Sequence, residues 1–203
     1  MGLHTEGLRV GAATTRGGGL IALIGAVLMV AACGPSEDEP APANTSPTYA
    51  ADVPTGFDPC TQIPDEVIKS ENLVSTGEST LGGPGRPYWR GCGWVYKGGR
   101  GYGTSIRTTN LTLEMIRARN FTDAEEFVVS GDRQAIVSRQ GTSDPAVPEL
   151  DDSCTANIHL DGGSLDIAVS NPKKSSPATA HIPACTIART LAEKIAPSIP
   201  AGA

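Results

Sequence analysis

The sequence has few aromatic residues and few basic ones. Phe, Trp and Tyr make up 4% of the 203 residues, which leaves little material for an aromatic ligand cage or a surface that stacks on bases. The 16 Lys and Arg are outnumbered by 22 Asp and Glu. Because binding to a phosphate backbone needs a clustered excess of basic side chains, this balance argues against nucleic acid as a partner.

The apolar run near the N-terminus is too short to cross a membrane as a helix. Residues 20–32 would rise about 20 Å in that form, whereas the hydrocarbon core of a bilayer is roughly 30 Å thick. Arg9 and Arg16 precede the run. A basic segment followed by a short apolar one is typical of a secretory signal peptide, which we predict over residues 1–32.

The apolar run ends in Val30-Ala31-Ala32-Cys33. This motif resembles the lipobox of bacterial lipoproteins, in which the cysteine thiol receives a diacylglyceryl group before signal peptidase cleaves the chain. The resemblance implies lipidation of Cys33, with the membrane as a partner and the outer face of the cell membrane as the location. A plain signal peptide that contains a cysteine by chance, or a short hydrophobic anchor, is the alternative.

Residues 33–55 are predicted to form a lipidated, disordered tether. This stretch is rich in Pro, Ala, Ser and Thr, carries the acidic run Glu37-Asp38-Glu39, and has no apolar periodicity. Such a composition cannot bury enough surface to offset chain entropy. We predict that residues 56–199 form a single domain and that residues 200–203 form a disordered tail.

Four cysteines remain in the exported domain: Cys60, Cys92, Cys154 and Cys185. No two of them have CxxC spacing, which argues against a zinc knuckle and against a thioredoxin-like centre. Four thiols in an oxidising compartment predict two disulfides. Sequence allows three pairings. We favour Cys60–Cys185, because both begin a predicted helix, and Cys92–Cys154, because both begin a predicted strand, while crossed pairings stay open.

Hydropathy periodicity predicts short helices and alternating strands from residue 57 onward. Residues 75–87 are rich in Gly, Pro, Ser and Thr and are predicted to be loop, as is the acidic stretch 141–152. The predicted helices are residues 64–70, 113–119 and 184–196, and the predicted strands are residues 92–96, 102–108, 127–130, 134–139, 154–160 and 165–169. Because hairpins dominate the connectivity, we predict an α+β domain: an antiparallel β-sheet with helices packed on one face, stapled by disulfides.

The order and spacing of these features resemble the actinobacterial DUF3558 lipoproteins. The resemblance covers residues 57–196 and implies an exported, lipid-anchored domain without an assigned activity, so no catalytic residue is carried over. The features that carry it are the lipobox, the low-complexity tether, Phe57-Asp58-Pro59-Cys60 before a short acidic helix, Cys92-Gly93-Trp94 opening a strand, Cys154 in a strand, and Cys185 at the head of a terminal helix.

The cysteines and the Cys92-Gly93-Trp94 strand are also similar to the disulfide-bonded sensor domain of mycobacterial receptor kinases. That second resemblance would imply ligand sensing or partner binding at the cell envelope.

Motifs for catalysis are missing from the sequence. HExxH, GxSxG and paired catalytic spacings are absent, and the histidines of the mature domain, His159 and His181, are predicted to be exposed. Ser170-Asn171-Pro172-Lys173 matches SxxK, but Pro172 disrupts the helical turn that would bring the serine to the lysine. We therefore predict that the protein is not an enzyme and uses no cofactor.

Glycine and acidic clusters have ordinary structural explanations. Residues 99–103 look like a phosphate-binding glycine loop, but they precede a strand rather than a helix. A metal site is not predicted either, because EF-hand spacing is absent from the acids Asp144, Glu149, Asp151 and Asp152.

Tyr88 and Trp89 are the residues that we predict to contact a ligand or partner. Period-2 alternation places Trp94 beside Cys92 on the buried face, whereas Tyr88 and Trp89 are predicted to lie in the preceding loop. The sequence therefore predicts a non-catalytic binding or sensory module of the cell envelope, whose partner is an envelope protein or a small apolar ligand. The alternative is a carrier of a lipid or small apolar molecule between the sheet and the helices.

Overall fold

Seven strands form one sheet in the computed structural model, which describes residues 48–119, 122–139 and 152–203. Every neighbouring pair of strands is antiparallel, in the order β1-β2-β3-β7-β6-β5-β4 across the sheet. This architecture confirms the predicted α+β class. In chain order the elements are α1 (Asp65–Ser70), β1 (Leu73–Gly82), β2 (Tyr88–Tyr96), β3 (Gly103–Thr109), α2 (Leu113–Arg117), β4 (Thr122–Val129), β5 (Arg133–Arg139), β6 (Ser153–Leu160), β7 (Gly163–Ser170) and α3 (Ala184–Ile195).

Several predictions concern residues that lie outside the described ranges. They are the signal peptide, the lipidation of Cys33, the tether up to residue 47 and the acidic loop up to residue 151. In the described part of the chain, no helix is both long enough and apolar enough to span a membrane.

Helix α3 builds the main core. Its apolar stripe includes Ile187, Leu191 and Ile195, all buried, and it lies across β5, β6 and β7. Fully buried side chains of these strands, such as Ile158 and Ile167, belong to the same cluster. Burying a side chain of this size stabilises the fold by about 1.5–3 kcal/mol, so this face holds most of the packing energy of the domain. We call it the α3 face.

Helix α2 lies on the other side of the sheet, the α2 face. Thr112 caps it, because its Oγ1 accepts a hydrogen bond from the Met115 backbone N–H at 3.2 Å. Leu113 and Ile116 of the helix pack in one cluster with Ile136 of β5. The helices therefore lie on both faces of the sheet, whereas the sequence predicts them on one face. The neighbours of Ile136 in β5 point toward α3, so Ile136 points to the opposite face. Its apolar side chain is buried there by α2.

The prediction of a loop over residues 75–87 is wrong for its first part, because β1 occupies Leu73–Gly82. It is an edge strand that pairs with β2, and most of its side chains are exposed on both faces. Because neither face is consistently buried, the sequence shows no alternation of polar and apolar residues there. The register shifts between Ser75 and Gly77, and Gly77 has a φ of 98°, which accounts for a glycine inside the strand.

Contacts with the domain begin before residue 56, where the predicted tether would end. Val53 is buried, and Tyr49 packs against the α2 cluster. The carbonyl oxygen of Ala50 accepts a hydrogen bond from Asn110 Nδ2 at 2.8 Å. These contacts supply burial that composition alone does not predict.

Two of the chain's last four residues, Pro200 and Ala203, contact the domain, where the sequence predicts a disordered tail. Arg133 donates hydrogen bonds to the carbonyl oxygens of Pro200 and Ala203, the latter at 3.1 Å. Ala203 lies against Gly56, where a side chain would come within 2.9 Å of it.

Two disulfides are present as predicted, but the favoured pairing is wrong. The bonds join Cys60 to Cys92 and Cys154 to Cys185, with Cα–Cα distances of 5.3 and 5.0 Å. Helix α3 begins over the C-terminal strands, so Cys185 meets the start of β6. The loop that holds Cys60 crosses β2 instead.

Candidate functional site

A groove lies on the α3 face beside the part of the sheet that α3 leaves uncovered. It has a volume of about 460 Å³ and runs between the loop of residues 54–61 and strands β1, β2 and β3. We call it the loop groove. It is lined by Pro54, Thr55, Phe57, Asp58, Pro59, Cys60, Thr61, Glu78, Thr80, Arg90, Gly91 and Thr108.

The loop is fixed to the sheet at two points. The Cys60–Cys92 disulfide ties it to β2, and Pro59 packs where Gly91 has no side chain. A Cβ on residue 91 would lie 2.9 Å from Pro59 Cγ and 2.2 Å from the Ile106 carbonyl oxygen. Glycine at this position therefore permits the close approach of loop and strand.

The turn around Asp58 is held by its own carboxylate. Asp58 Oδ1 accepts a hydrogen bond from the Cys60 backbone N–H at 2.9 Å, and Oδ2 accepts one from the Thr61 hydroxyl at 2.8 Å. This arrangement is a local turn in which an aspartate replaces a backbone acceptor. The Phe57-Asp58-Pro59-Cys60 motif thus builds the wall of the groove, and the Asp58 oxygens are already engaged.

The loop groove carries more negative than positive charge. Arg90 is 3.7 Å from Asp52 (Nη1 to Oδ1), so its charge is partly balanced from within the domain. Glu78 extends from β1 on the same face, and within the described ranges its carboxylate makes no hydrogen bond or ion pair. An unpaired carboxylate with neighbouring hydroxyl groups favours a cationic group in the groove.

A second groove crosses the α2 face. It has a volume of about 480 Å³ and is open along several strands, because small side chains form its floor. Val74 and Val95 are opposite each other at the end of this surface and are 41% and 37% exposed. The lining contains no charged side chain: it consists of Thr76, Gly93, Trp94, Val95, Gly103, Thr104, Ser105, Ser153, Cys154, Thr155, Ala168, Val169 and Ser170.

A buried polar cluster lies farther along the α2 face. Arg107 Nη2 is 2.9 Å from Asp166 Oδ1, and Asn157 Nδ2 is 3.5 Å from Asp166 Oδ2. The Trp89 ring lies 5.9 Å from the guanidinium carbon of Arg107. Burial raises the pKa of the Asp166 carboxyl, while Arg107 and Asn157 act in the opposite direction. This cluster ties strands together, and Asn157 and Asp166 line a small pocket of only about 20 Å³.

The structure places the two predicted contact residues in strand β2, not in a loop. Tyr88 and Trp89 are both half-buried. The Tyr88 backbone N–H donates to Asn110 Oδ1 at 2.9 Å, and Trp89 packs against the α2 cluster. Neither residue lines the two large grooves. Their role in partner contact remains a prediction.

Of the two predicted histidines, His181 lines a smaller groove of about 310 Å³ with Arg139, Asp152 and Lys173, and His159 lines neither large groove. His159 and His181 are exposed, on the polar side of β6 and in the loop before α3. Across the described ranges, no group of three or more metal-ligating side chains comes together. Trp94 lies in the core on the same side of β2 as Cys92.

Sequence reasoning missed the charged and hydroxyl residues that line the loop groove. Glu78 and Thr80 belong to the strand that was predicted to be a loop, and Arg90 falls just before the predicted start of β2. One signal was available: Glu78 is the single charged residue in an otherwise uncharged stretch from Leu73 to Gly85. A lone charge in such a segment singles out a position, but it does not show what the side chain faces.

Comparison with known proteins gives a match to one protein family. A family model described as "Protein of unknown function (DUF3558)" matches residues 28–198. No curated protein and no solved structure matches significantly. The matched range contains all four bonded cysteines and every strand of the sheet. The chain belongs to the DUF3558 family.

Proposed function

We propose that this protein is an exported, lipid-anchored and non-catalytic binding module of the actinobacterial cell envelope, and that its binding site is the loop groove. The observation that carries the proposal is the construction of the groove. A disulfide-tied loop walls a space of about 460 Å³ into which one carboxylate extends unpaired. This volume lies in the range of small-molecule and side-chain binding sites.

The lipid anchor is supported by the sequence alone. A short apolar run ends at Val30-Ala31-Ala32-Cys33, as in lipoprotein signal peptides. Substituting Cys33→Ser should move the exported protein from the membrane fraction to the soluble fraction and abolish incorporation of a labelled fatty acid. Membrane retention without label would indicate an uncleaved hydrophobic anchor.

The carrier alternative is disfavoured by the packing between the sheet and α3. Ile106, Ile158 and Leu191 have no exposed surface, and they fill the layer where an apolar cargo would have to lie. A cargo molecule would therefore displace well-packed side chains, each of which stabilises the fold by a few kcal/mol. The loop groove needs no such displacement.

A groove-filling substitution tests the binding site. Thr80→Trp places a large side chain in the loop groove, and Thr186→Trp adds the same side chain at an exposed position of α3. Both proteins are exported, purified and analysed by mass spectrometry under native and denaturing conditions. A photo-crosslinking residue at Thr61, on the opposite wall, captures macromolecular partners in the same cells.

We expect a ligand mass or a crosslinked partner in the wild type and in Thr186→Trp, and its loss in Thr80→Trp with folding unchanged. If Thr80→Trp retains the bound species, or if neither method detects one in the wild type, the loop groove is not the binding site. If an apolar ligand persists in Thr80→Trp, the carrier function gains support.

A further inference from the structure

The free edge of strand β1 lies directly beside the loop groove. Strand β1 is ten residues long and, among the described residues, pairs on one side with β2. An edge strand presents unpaired N–H and C=O groups, which proteins usually protect with lysines, prolines, inward-pointing charges or β-bulges. β1 contains no Lys and no Pro, and regular extended pairing runs from Glu78 to Leu81, between Gly77 and Gly82, whose φ values are 98° and 82°.

The opposite edge of the sheet is protected by charge. On β4, Glu126 forms an ion pair with Arg117 at 2.7 Å and Glu125 forms one with Arg189 at 2.8 Å. The two edges therefore differ, since β4 is flanked by paired charges and β1 is not.

The two faces of β1 present different chemistry. On the α3 face, Glu78 and Thr80 line the loop groove. On the α2 face, Val74 and Leu81 are 41% and 56% exposed. Alternate side chains of an added strand would meet these two surfaces in turn, because successive residues of a strand point to opposite faces.

We propose that β1 is a docking edge for an extended segment of a partner protein that carries a basic side chain among alternating apolar residues. This deepens and rests on the proposed binding role of the loop groove. The partner's main chain pairs with β1 and extends the sheet. Its Lys or Arg side chain enters the loop groove and reaches the carboxylate of Glu78, and its apolar side chains cover Val74 and Leu81.

Charge complementarity selects this occupant. Glu78 is unpaired, and the acidic side chains Asp52 and Asp58 lie nearby, so an acidic segment would be repelled. A second copy of the chain, paired antiparallel through the centre of β1, would bring one Glu78 close to the other. Like charges opposite each other destabilise a strand pair. A basic segment meets one like charge in the groove, Arg90, which is partly balanced by Asp52.

The test uses the exported full-length protein, purified in detergent, and short synthetic peptides in which Val and Thr alternate. The central residue, on the Thr side, is Lys in one peptide and Glu in another. Affinity is measured by fluorescence anisotropy, and backbone protection is measured by hydrogen exchange. We expect the Lys peptide to bind at least about fivefold more tightly than the Glu peptide, and to slow exchange of β1 amides.

Two sets of variants assign the contacts. Glu78→Gln should remove the preference for Lys, Glu78→Lys should reverse it, and Glu66→Gln, which removes an exposed charge on α1, should leave it unchanged. Methylating backbone nitrogens of one alternate set in the peptide should abolish binding, while methylating the other set should not, because only one set faces β1.

Three results would overturn this inference. They are a Lys preference that persists in Glu78→Gln, equal effects of both methylation sets, and no binding of either peptide. If the last occurs while Thr80→Trp still removes the native ligand, the loop groove remains a binding site but its ligand is not an extended basic segment. If Thr80→Trp has no effect on the native ligand, the proposed function fails independently of the peptides.

Discussion

Arg107 of β3 and Asp166 of β7 lie directly opposite each other, with Arg107 Nη2 2.9 Å from Asp166 Oδ1. Their side chains are 14% and 11% exposed, so the ion pair is largely removed from water. It links β3 to the central strand β7, and this strand pair joins the strands before α2 to those after it. Removing one partner of such a pair leaves the other as an uncompensated buried charge.

We therefore predict that Arg107→Met lowers the free energy of unfolding by about 3–5 kcal/mol. The control is Arg117→Met, which breaks the exposed pair with Glu126 and should have a much smaller effect because solvent screens that pair. Urea denaturation followed by circular dichroism measures both. Equal losses in the two variants would show that burial of the Arg107–Asp166 pair has no energetic consequence.

The pH dependence of stability should report on Asp166. Burial raises the pKa of this carboxyl in the folded protein above the value of about 4 for an unfolded aspartate. The folded state then holds the proton more tightly, so the contribution of Asp166 to stability falls as the pH rises from about 4 through its folded pKa. Asp166→Asn lacks this contribution.

Chemical denaturation at a series of pH values tests this directly. The stability of the wild type minus that of Asp166→Asn should decrease with rising pH in that window. An increase would mean that Arg107 and Asn157 outweigh burial and hold the pKa below its ordinary value.

The two disulfides should stabilise the fold by similar amounts. Only Cys60–Cys92 should hold the wall of the loop groove, residues 54–61, in place. The two bonds close segments with sequence separations of 32 and 31 residues, for which the chain-entropy model gives about 4 kcal/mol each. We expect Cys60→Ser/Cys92→Ser to make residues 54–61 susceptible to proteolysis in the folded protein. Cys154→Ser/Cys185→Ser should lose comparable stability and keep this loop protected.

Peptide mapping without reduction checks the pairing itself. Fragments that join Cys60 to Cys92 and Cys154 to Cys185 are expected. A fragment that joins Cys60 to Cys185 would contradict the Cys60–Cys92 and Cys154–Cys185 bonds.

Gly163 is predicted to be intolerant of any side chain. A Cβ at this position would lie 2.0 Å from the Thr109 carbonyl oxygen and 2.8 Å from Pro54 Cγ. Gly163→Ala should therefore destabilise the protein by at least about 2 kcal/mol, measured by thermal and chemical denaturation. Gly83→Ala is the matched control, because nothing lies within 4 Å of its Cβ position, and it should be nearly neutral. A stable Gly163→Ala protein would show that Pro54 and the strand separate readily.

The elements with strong periodicity were predictable from sequence. The β6–β7 hairpin and α3 each bury one consistent face, so their hydropathy alternates with the period of a strand or a helix. Two strands were too short in the prediction. The outer end of β4 is polar and is fixed by pairing with β5, which leaves no local signal, whereas β2 begins at Tyr88 and Trp89, whose strand propensity the prediction overlooked.

The candidate site depended on information that local pattern does not contain. Glu78 reaches the groove because β1 pairs with β2, and Cys60 meets Cys92 because the preceding loop crosses that strand. Both relations join segments that are well separated in the chain. The cysteines themselves predicted two bonds, but helix and strand positions alone assigned the wrong partners.

The arrangement of the disulfides has a consequence for how the two halves of the domain are assembled. One bond fastens the loop before α1 to β2, and the other fastens α3 to β6, so each closes a segment on its own side of the boundary between β3 and β7. Each half can therefore be oxidised and closed before the two dock. Once they have docked, the two halves are joined by the main chain and by noncovalent contacts, among which the pairing of β3 with β7 runs over seven residues, and neither disulfide crosses between them.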